Sequence, residues 1–288
     1  MASSQALNTN PPAARIVATN EKVTGPPAAE MLRTCLEGAT GSLEILDNAC
    51  GGGILTAELL KYIQQVDGKS QLKRAVASDT DVNMISYVER RVHEHDWQHV
   101  TTMKADQRSI PTADSTFTHV FNNFGAFFVP DAHTVLAETL RITKTGGTVG
   151  FTSWKSINWW PEVAIPAIEA FVPDAPALPP PRSVFPPQNW HDSTAIQEKL
   201  RTAGFDDIEV EDYSFAPDVE AEEFAEACAV LVKIITKRTW SAEDHSKYEH
   251  QIEPALLRYL REQFPGGKWN GTMTAIISIG RKPGTLHY

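Results

Sequence analysis

Asp47, Asp79 and Asp106 are the residues whose type and spacing suggest chemistry, because each follows a short apolar run. Asp47 ends Ile45-Leu46 and leads through Asn48-Ala49-Cys50-Gly51-Gly52-Gly53 into the amphipathic stretch Ile54–Ile63. Strand, acid, small-residue turn and helix in that order make a nucleotide-binding turn. Glycines there remove Cβ atoms so that ligand and backbone can touch, and they allow the positive φ values of a tight strand-to-helix connection. A glycine-rich turn alone does not tell one nucleotide ligand from another. Asp47 does, since a carboxylate at the strand end repels a pyrophosphate and attracts a ligand with an ammonium and a sulfonium and no phosphate. The third glycine of a dinucleotide fingerprint is also missing, because Thr56 occupies its position. Asp79 after Ala75-Val76-Ala77-Ser78 is placed to accept from ribose hydroxyls, and Asp106 after Met103-Lys104-Ala105 from an adenine amino group. Each Asp could instead cap the helix or turn that follows it. Three in order behind a glycine turn favour a nucleoside site, and the ligand of that description is S-adenosylmethionine.

Elements that would bring these acids together follow from the hydrophobic pattern. Pro26-Pro27 is expected to open a helix through Met31, Leu32 and Leu36. Strands are expected at 43–48, 74–78, 99–103, 117–122 and 148–153, the last after a Gly146-Gly147 turn, with helices at 54–65, 81–92 and 132–142 between them. Alternation of this kind specifies an α/β fold, a doubly wound parallel sheet whose strand ends share one carboxyl edge. Between Trp154 and Trp190, prolines at 161, 166, 173, 176, 179–181 and 186–187 punctuate aromatic residues, which argues against strands and for an aromatic, proline-rich cap. A helix at 193–203 stopped by Gly204, a strand at 208–213, helices at about 220–236 and 242–263, and a last strand at 274–279 complete the pattern. The expected organisation is a flexible tail over 1–14 and one domain over 15–288, with cap insertions at about 154–190 and 218–270.

Composition narrows the partners. A chain of 288 residues suits one large α/β domain with an insertion. With 26 basic against 36 acidic residues and a net charge of −10, a phosphate-tracking surface is not expected, and nucleic acid is an improbable partner. Three scattered cysteines, Cys35, Cys50 and Cys228, suit neither a disulfide framework nor a metal cage, so no metal is expected. No apolar run approaches the ~20 residues of a membrane span, and no signal-peptide segment is evident at the N-terminus. The expectation is a cytoplasmic protein that acts on a small molecule, with no membrane partner and an oligomeric state the sequence leaves open.

Taken together, Leu46-Asp47-Asn48-Ala49-Cys50-Gly51-Gly52-Gly53, Ser78-Asp79-Thr80-Asp81 with Met84-Ile85, and Ala105-Asp106 with Ile110-Pro111 resemble the first three motifs of class I S-adenosylmethionine-dependent methyltransferases. Phe117–Phe121 followed by Phe124-Gly125 and Pro130-Asp131 is similar to their fourth strand and its loop, and Leu140-Arg141-Ile142 with Gly146-Gly147 to the approach to the fifth. Trp154, Asn158-Trp159 and Leu256-Leu257-Arg258-Tyr259-Leu260 carry a closer resemblance to fungal small-molecule methyltransferases of secondary metabolism, of the gliotoxin thiol S-methyltransferase type. The resemblance implies a Rossmann-like seven-stranded sheet with a reversed last strand and a lid from the N-terminal helix. It also implies a cofactor site drawn from Thr24, Asp47, Ala49, Cys50, Gly51, Gly53, Asp79, Thr80, Met84, Asp106, Gln107 and Asn122. Two departures stand out: Ala49 occupies the place of the first glycine, and Asn122-Asn123 is unusually polar.

Methyl transfer from a sulfonium is an in-line displacement at an already activated carbon, so positioning is the main task. A thiol acceptor needs little more, because its pKa of about 8.5 leaves some thiolate at neutral pH; a phenol or amine needs more help. Asn123 is the candidate to orient the acceptor, whereas His119, inside the fourth strand, reads as structural. Phe124 and Phe127 with Trp154, Trp159, Trp160 and Trp190 are expected to line a pocket for a flat apolar molecule, Phe185 belonging to the same aromatic set. S-methylation is the first expectation and O- or N-methylation the next. A non-methylating binder of the same cofactor, either a pericyclase or a regulator, is the rival class, with a nicotinamide oxidoreductase behind it.

Overall fold

Ile45 and Leu46 adjoin on β1 (Gly41–Asn48), yet neither has any exposed surface. A parallel strand with helices on both faces has no solvent side, so its two alternating sets of side chains both enter cores. In this computed structural model, which describes residues 11–66, 70–181, 184 and 188–284, Ile45 packs with α1 (Pro11–Leu36) and α2 (Ile54–Gln65). Leu46 faces the other way, into a core shared with α4 (Ala132–Ile142) and α6 (Ser193–Ala203). Val120 and Phe121 on β4 (Phe117–Asn123) divide between the same two cores.

The remaining strands are β2 (Ser70–Asp79), β3 (Val100–Lys104), β5 (Thr143–Ser156), β6 (Asp206–Phe215) and β9 (Met273–Arg281), and the seven-stranded sheet runs β3-β2-β1-β4-β5-β9-β6. β1 to β5 are parallel, and β9 inserts antiparallel to both β5 and β6, the reversed strand that the family resemblance implies. Strand order changes direction between β1 and β4, and that switch point is where an open α/β sheet leaves a crevice at its carboxyl edge. α3 (Val82–Glu94) follows β2, with Ile85 and Val88 buried against Cys50 and Ala77. β6 forms one rim of the sheet and exposes Asp206, Asp207, Glu209 and Glu211.

The chain divides into two compact units, the larger one carrying the sheet over 24–158, 180–216 and 272–284 of the described residues. The smaller unit comprises 11–23, 159–179 and 217–271. It contains α5 (Ile165–Phe171), the short strands β7 (Val219–Glu220) and β8 (Lys268–Trp269), α7 (Ala221–Thr239) and α8 (Ala242–Gln263). Its interior is aromatic: Phe224 stacks on Trp269 with centroids 4.4 Å apart, and Trp159 meets Trp160 and Phe224 edge-on at 5.6 and 6.2 Å. Such edge and offset geometries are what the ring quadrupoles favour. Among the described residues, no helix is long and apolar enough to cross a membrane.

Several expectations need correction. The tail ascribed to 1–14 is helical from Pro11, with 1–10 outside the described residues. Pro26 and Pro27 lie inside α1 instead of opening it, since proline's fixed φ is helical and its cost is the two hydrogen bonds it cannot donate. β5 begins at Thr143 and absorbs Gly146-Gly147 beside a register irregularity between Phe117 and His119, so these glycines accommodate a bulge within a strand. Trp154 belongs to β5 and not to a cap. The proline-rich stretch that follows is helical at Trp160–Ala164 and Ile165–Phe171, and the described residues from 180 to 190 group with the sheet unit. Phe185 and Pro186-Pro187 lie outside the described residues.

Candidate active site

Asp47 reaches the end of β1 with 1% of its surface exposed. Its Oδ2 accepts hydrogen bonds from the Thr56 backbone N–H at 3.1 Å and from the Thr56 hydroxyl at 2.7 Å, which fixes the first turn of α2 to the strand end. Thr56, the residue that departs from a dinucleotide fingerprint, is therefore Asp47's partner. Asp47 Oδ1 is buried and has no hydrogen-bond partner. Burial pushes this carboxyl up to about 6, against the two Thr56 bonds that hold it down. An orphaned, desolvated carboxylate oxygen is costly on its own and is relieved by a cationic donor.

The turn after Asp47 is left-handed at Ala49, Gly51 and Gly53, with φ of 59°, 51° and 75°. A Cβ on Gly51 would meet nothing within 4 Å, whereas one on Gly53 would press on Val88 at 3.1 Å. Gly51 thus borders open space and Gly53 serves the packing of α3. The Gly51 N–H donates to Asp79 Oδ2 at 2.9 Å, and the Asp81 N–H to Asp79 Oδ1 at 2.9 Å. Each Asp79 oxygen retains acceptor capacity beyond these bonds. Arg91 on α3 donates to the Gly52 carbonyl at 2.7 Å while its guanidinium lies 4.8 Å from the Trp97 ring centre. Cys50 is buried beneath the turn, and desolvation, reinforced by Asp47 and Asp79, raises its thiol well above the ordinary range.

At the ends of β3 and β4 the candidates are engaged with one another. Asn122 Nδ2 donates to Gln107 Oε1 at 2.9 Å, Gln107 Nε2 to the Gly125 carbonyl at 3.2 Å, and the Gly125 N–H to Asn122 Oδ1 at 3.0 Å. This closed, buried ring satisfies both amides, the condition under which a buried polar network rigidifies its surroundings. Asp106 is gripped by the Arg108 guanidinium through both carboxylate oxygens, which holds its carboxyl below the usual value. Thr80 is exposed and Met84 half-buried on α3. Asn123 accepts from the Thr152 hydroxyl at 2.6 Å and donates to the Thr24 carbonyl of α1 at 3.4 Å. Its amide is thereby occupied in joining β4, β5 and α1.

The aromatic candidates separate into two groups. Phe124, at φ 57°, stacks on Trp154 with centroids 4.2 Å apart, and its N–H donates to Thr152. Phe127 is half-buried beside Phe128, which is 72% exposed. By contrast, Trp160 is fully buried with its indole N–H on the Pro179 carbonyl, Trp159 is buried in the same aromatic interior, and Trp190 packs on Phe151 in the sheet core. Packing within the smaller unit engages Trp159 and Trp160, packing in the sheet core engages Trp190, and Phe124 and Trp154 stack on each other in the sheet unit. His119 is structural as well: its Nδ1 meets the Thr118 hydroxyl at 2.9 Å, and burial pushes it down to about 4.

Sequence reasoning missed Arg91, Gly125 and Thr152 as parts of this site. Arg91 lies two helical turns after Met84 on one face of α3, a spacing that was readable. The other two depend on contacts between distant strands.

Similarity to known proteins bears out this reading of the fold. Residues 29–159 match the ubiE/COQ5 methyltransferase family. Methyltransferase tpcH of Aspergillus fumigatus is 29% identical over 244 residues, spanning 84% of this chain and 85% of that protein. Acetylaranotin bis-thiomethyltransferase of Aspergillus terreus is 28% identical over 270 residues, or 91% and 92% of the two chains. Phosphoethanolamine N-methyltransferase 2 of Haemonchus contortus, solved in complex with S-adenosyl-L-methionine, shares the fold with a TM-score of 0.51 at 16% identity, over 89% of this chain and 52% of that one. A sheet in this strand order, turned through an acid and three glycines at its switch point and matched by fungal methyltransferases along most of its length, makes the chain a class I S-adenosylmethionine-dependent methyltransferase.

Proposed function

We propose that the enzyme methylates the sulfur of a small, largely apolar thiol, with the cofactor held along the carboxyl edge between β1 and β4. The orphaned Oδ1 of Asp47 supports placing the cofactor's ammonium there, directly or through one water, and the open space at Gly51 supports placing the methionine part against the turn. Asp79, with acceptor capacity left on both oxygens, is the residue to hold the ribose hydroxyls. Asp106 is a weaker candidate for the adenine amino group, because Arg108 already occupies its carboxylate. When bound, the cofactor supplies a sulfonium-activated methyl group. The chain's task is to hold that methyl in line with the acceptor and to keep water away from it.

The observation that carries the thiol reading is the neutral, aromatic character of the acceptor side, where Phe124 lies over Trp154 and the Asn123 amide is turned to Thr152 and Thr24. A thiol suits such a site because it reaches the nucleophilic thiolate without a strong base. The name of the Aspergillus terreus relative points the same way. Release of S-adenosylhomocysteine measured across matched thiols, phenols and amines tests the proposal. Turnover is expected with apolar thiols; turnover with phenols or amines alone overturns it.

Replacing Asp79 by Ala should weaken affinity for S-adenosylhomocysteine by about 1.5–3 kcal/mol, the range for hydrogen bonds to a charged group. The variant also frees the Gly51 N–H, so the larger figure is expected. Calorimetry on the folded variant checks this, and unchanged affinity removes Asp79 from the ribose site.

A further inference from the structure

Two residues at the crevice are of types that run against their backbones. Ala49 holds a left-handed φ of 59°, a conformation that glycine adopts at no cost and alanine does not. Gly125 has φ −103° and ψ −33°, an ordinary conformation for any residue. Alanine stands where the backbone prefers glycine, and glycine where the backbone needs none. The two face each other: a Cβ built on Gly125 would lie 2.6 Å from the Ala49 Cβ, far inside contact distance, with Asn122 Oδ1 next at 3.0 Å. The Ala49 methyl therefore fills the room that Gly125 leaves.

We infer that Ala49 and Gly125 are a matched steric pair that sets the distance between the cofactor turn and the β4 loop, and so positions the Phe124 ring relative to the cofactor. This rests on the reading of the Asp47–Gly53 turn as the cofactor site. Gly125 is held on its other side by Asn122 and Gln107, which grip its N–H and its carbonyl. Phe124 immediately precedes it, in a left-handed conformation of its own and stacked on Trp154. The loop is thus fixed from the sheet side by hydrogen bonds and from the turn side by one methyl group. A side chain added at 125 has nowhere to go except into the turn, because the amide ring blocks retreat. Ala49 and Gly125 act here as positioning residues, since neither needs to touch a reacting atom.

The test is a swap. Gly125→Ala should weaken S-adenosylhomocysteine binding about ten-fold or more and lower the melting temperature by several degrees, as expected when a methyl group is forced into a packed contact. Ala49→Gly opens a gap and should weaken binding by only about three-fold. The double variant Ala49→Gly/Gly125→Ala moves the methyl from one partner to the other and should bind more tightly, and melt higher, than Gly125→Ala alone. Rescue in both measurements supports the pair. A Gly125→Ala protein that binds and melts like the wild type overturns it, as does a double variant no better than that single one. If Gly125→Ala yields no folded protein, recovery of folded protein in the double variant supports the pair, and failure of both to fold overturns it. Wild-type protein that shows no binding heat with S-adenosylhomocysteine refutes the site reading, and with it the cofactor-positioning role, while the melting temperatures still decide the steric contact.

Discussion

Gly51→Val should fold and lose its cofactor. Gly51 sits at φ 51° with nothing within 4 Å of the Cβ direction, so no neighbour opposes the new side chain. The penalty on stability is the left-handed backbone, about 1–2 kcal/mol for a residue with a Cβ. The penalty on binding is larger, because the isopropyl group occupies the space assigned to the methionine part of the ligand. Affinity for S-adenosylhomocysteine should fall by about 100-fold or more, equivalent to nearly 3 kcal/mol, and Gly51→Ala should fall between the variant and the wild type. Calorimetry on protein whose thermal unfolding remains cooperative measures this. Normal affinity in the valine variant places the ligand elsewhere.

Asp47→Asn should move stability and binding in opposite directions. The Asp47 carboxyl lies near 6 in the folded protein against an ordinary 3.8, raised mainly by burial. Between those two values the native state keeps a proton that the unfolded chain has released, so stability falls as pH rises through the window and stays reduced above it. Two pKa units correspond to about 3 kcal/mol. Asparagine cannot ionise, and its amide can still serve the Thr56 N–H and hydroxyl. The ligand-free variant should therefore be more stable than the wild type at pH 7.5 by up to about 3 kcal/mol, with the difference closing below about pH 4. Cofactor affinity should instead drop by about 1.5–3 kcal/mol as the ammonium loses its charged partner. Denaturant melts at pH 4 and 7.5, paired with calorimetry, decide the matter. A variant less stable than the wild type at pH 7.5, or one that binds as tightly, removes Asp47 from the role of ammonium partner.

Where the chain's signals were local, its sequence was enough. Helix α4 starts at Asp131, whose side chain caps the Thr134 N–H, α6 starts at Asp192, and α8 at Ser241; each cap is written within four residues of the helix it opens. The first turn was legible for the same reason, since Asp47, its glycines and Thr56 are consecutive or nearly so. Arg91 shares a helix face with Met84, which was readable, but Gly52 lies 39 residues from it and the contact between them was not. Gly146-Gly147 read as a turn because a glycine pair marks a turn and an in-strand irregularity alike, and only pairing with β4 distinguishes them. Trp159 and Trp160 read as a pocket because an indole's fate depends on what packs around it. Phe224 and Trp269, which bury Trp159's neighbourhood, lie 65 and more residues further along the chain. For Asp106 a competing signal was present in the sequence: Arg108, two residues on, was visible as a partner for its carboxylate.

The acidic rim of the sheet has a consequence for the company this protein can keep. β6 offers a row of backbone donors and acceptors to any passing extended chain, the kind of template from which strand-by-strand aggregates grow. Asp206, Asp207, Glu209 and Glu211 stud that row, so a second copy approaching rim to rim would set carboxylates against carboxylates at the spacing of paired strands. Like charges that close oppose the zippering before the first hydrogen bonds can form. A chain that must keep an open-edged sheet thus guards that edge with repulsion.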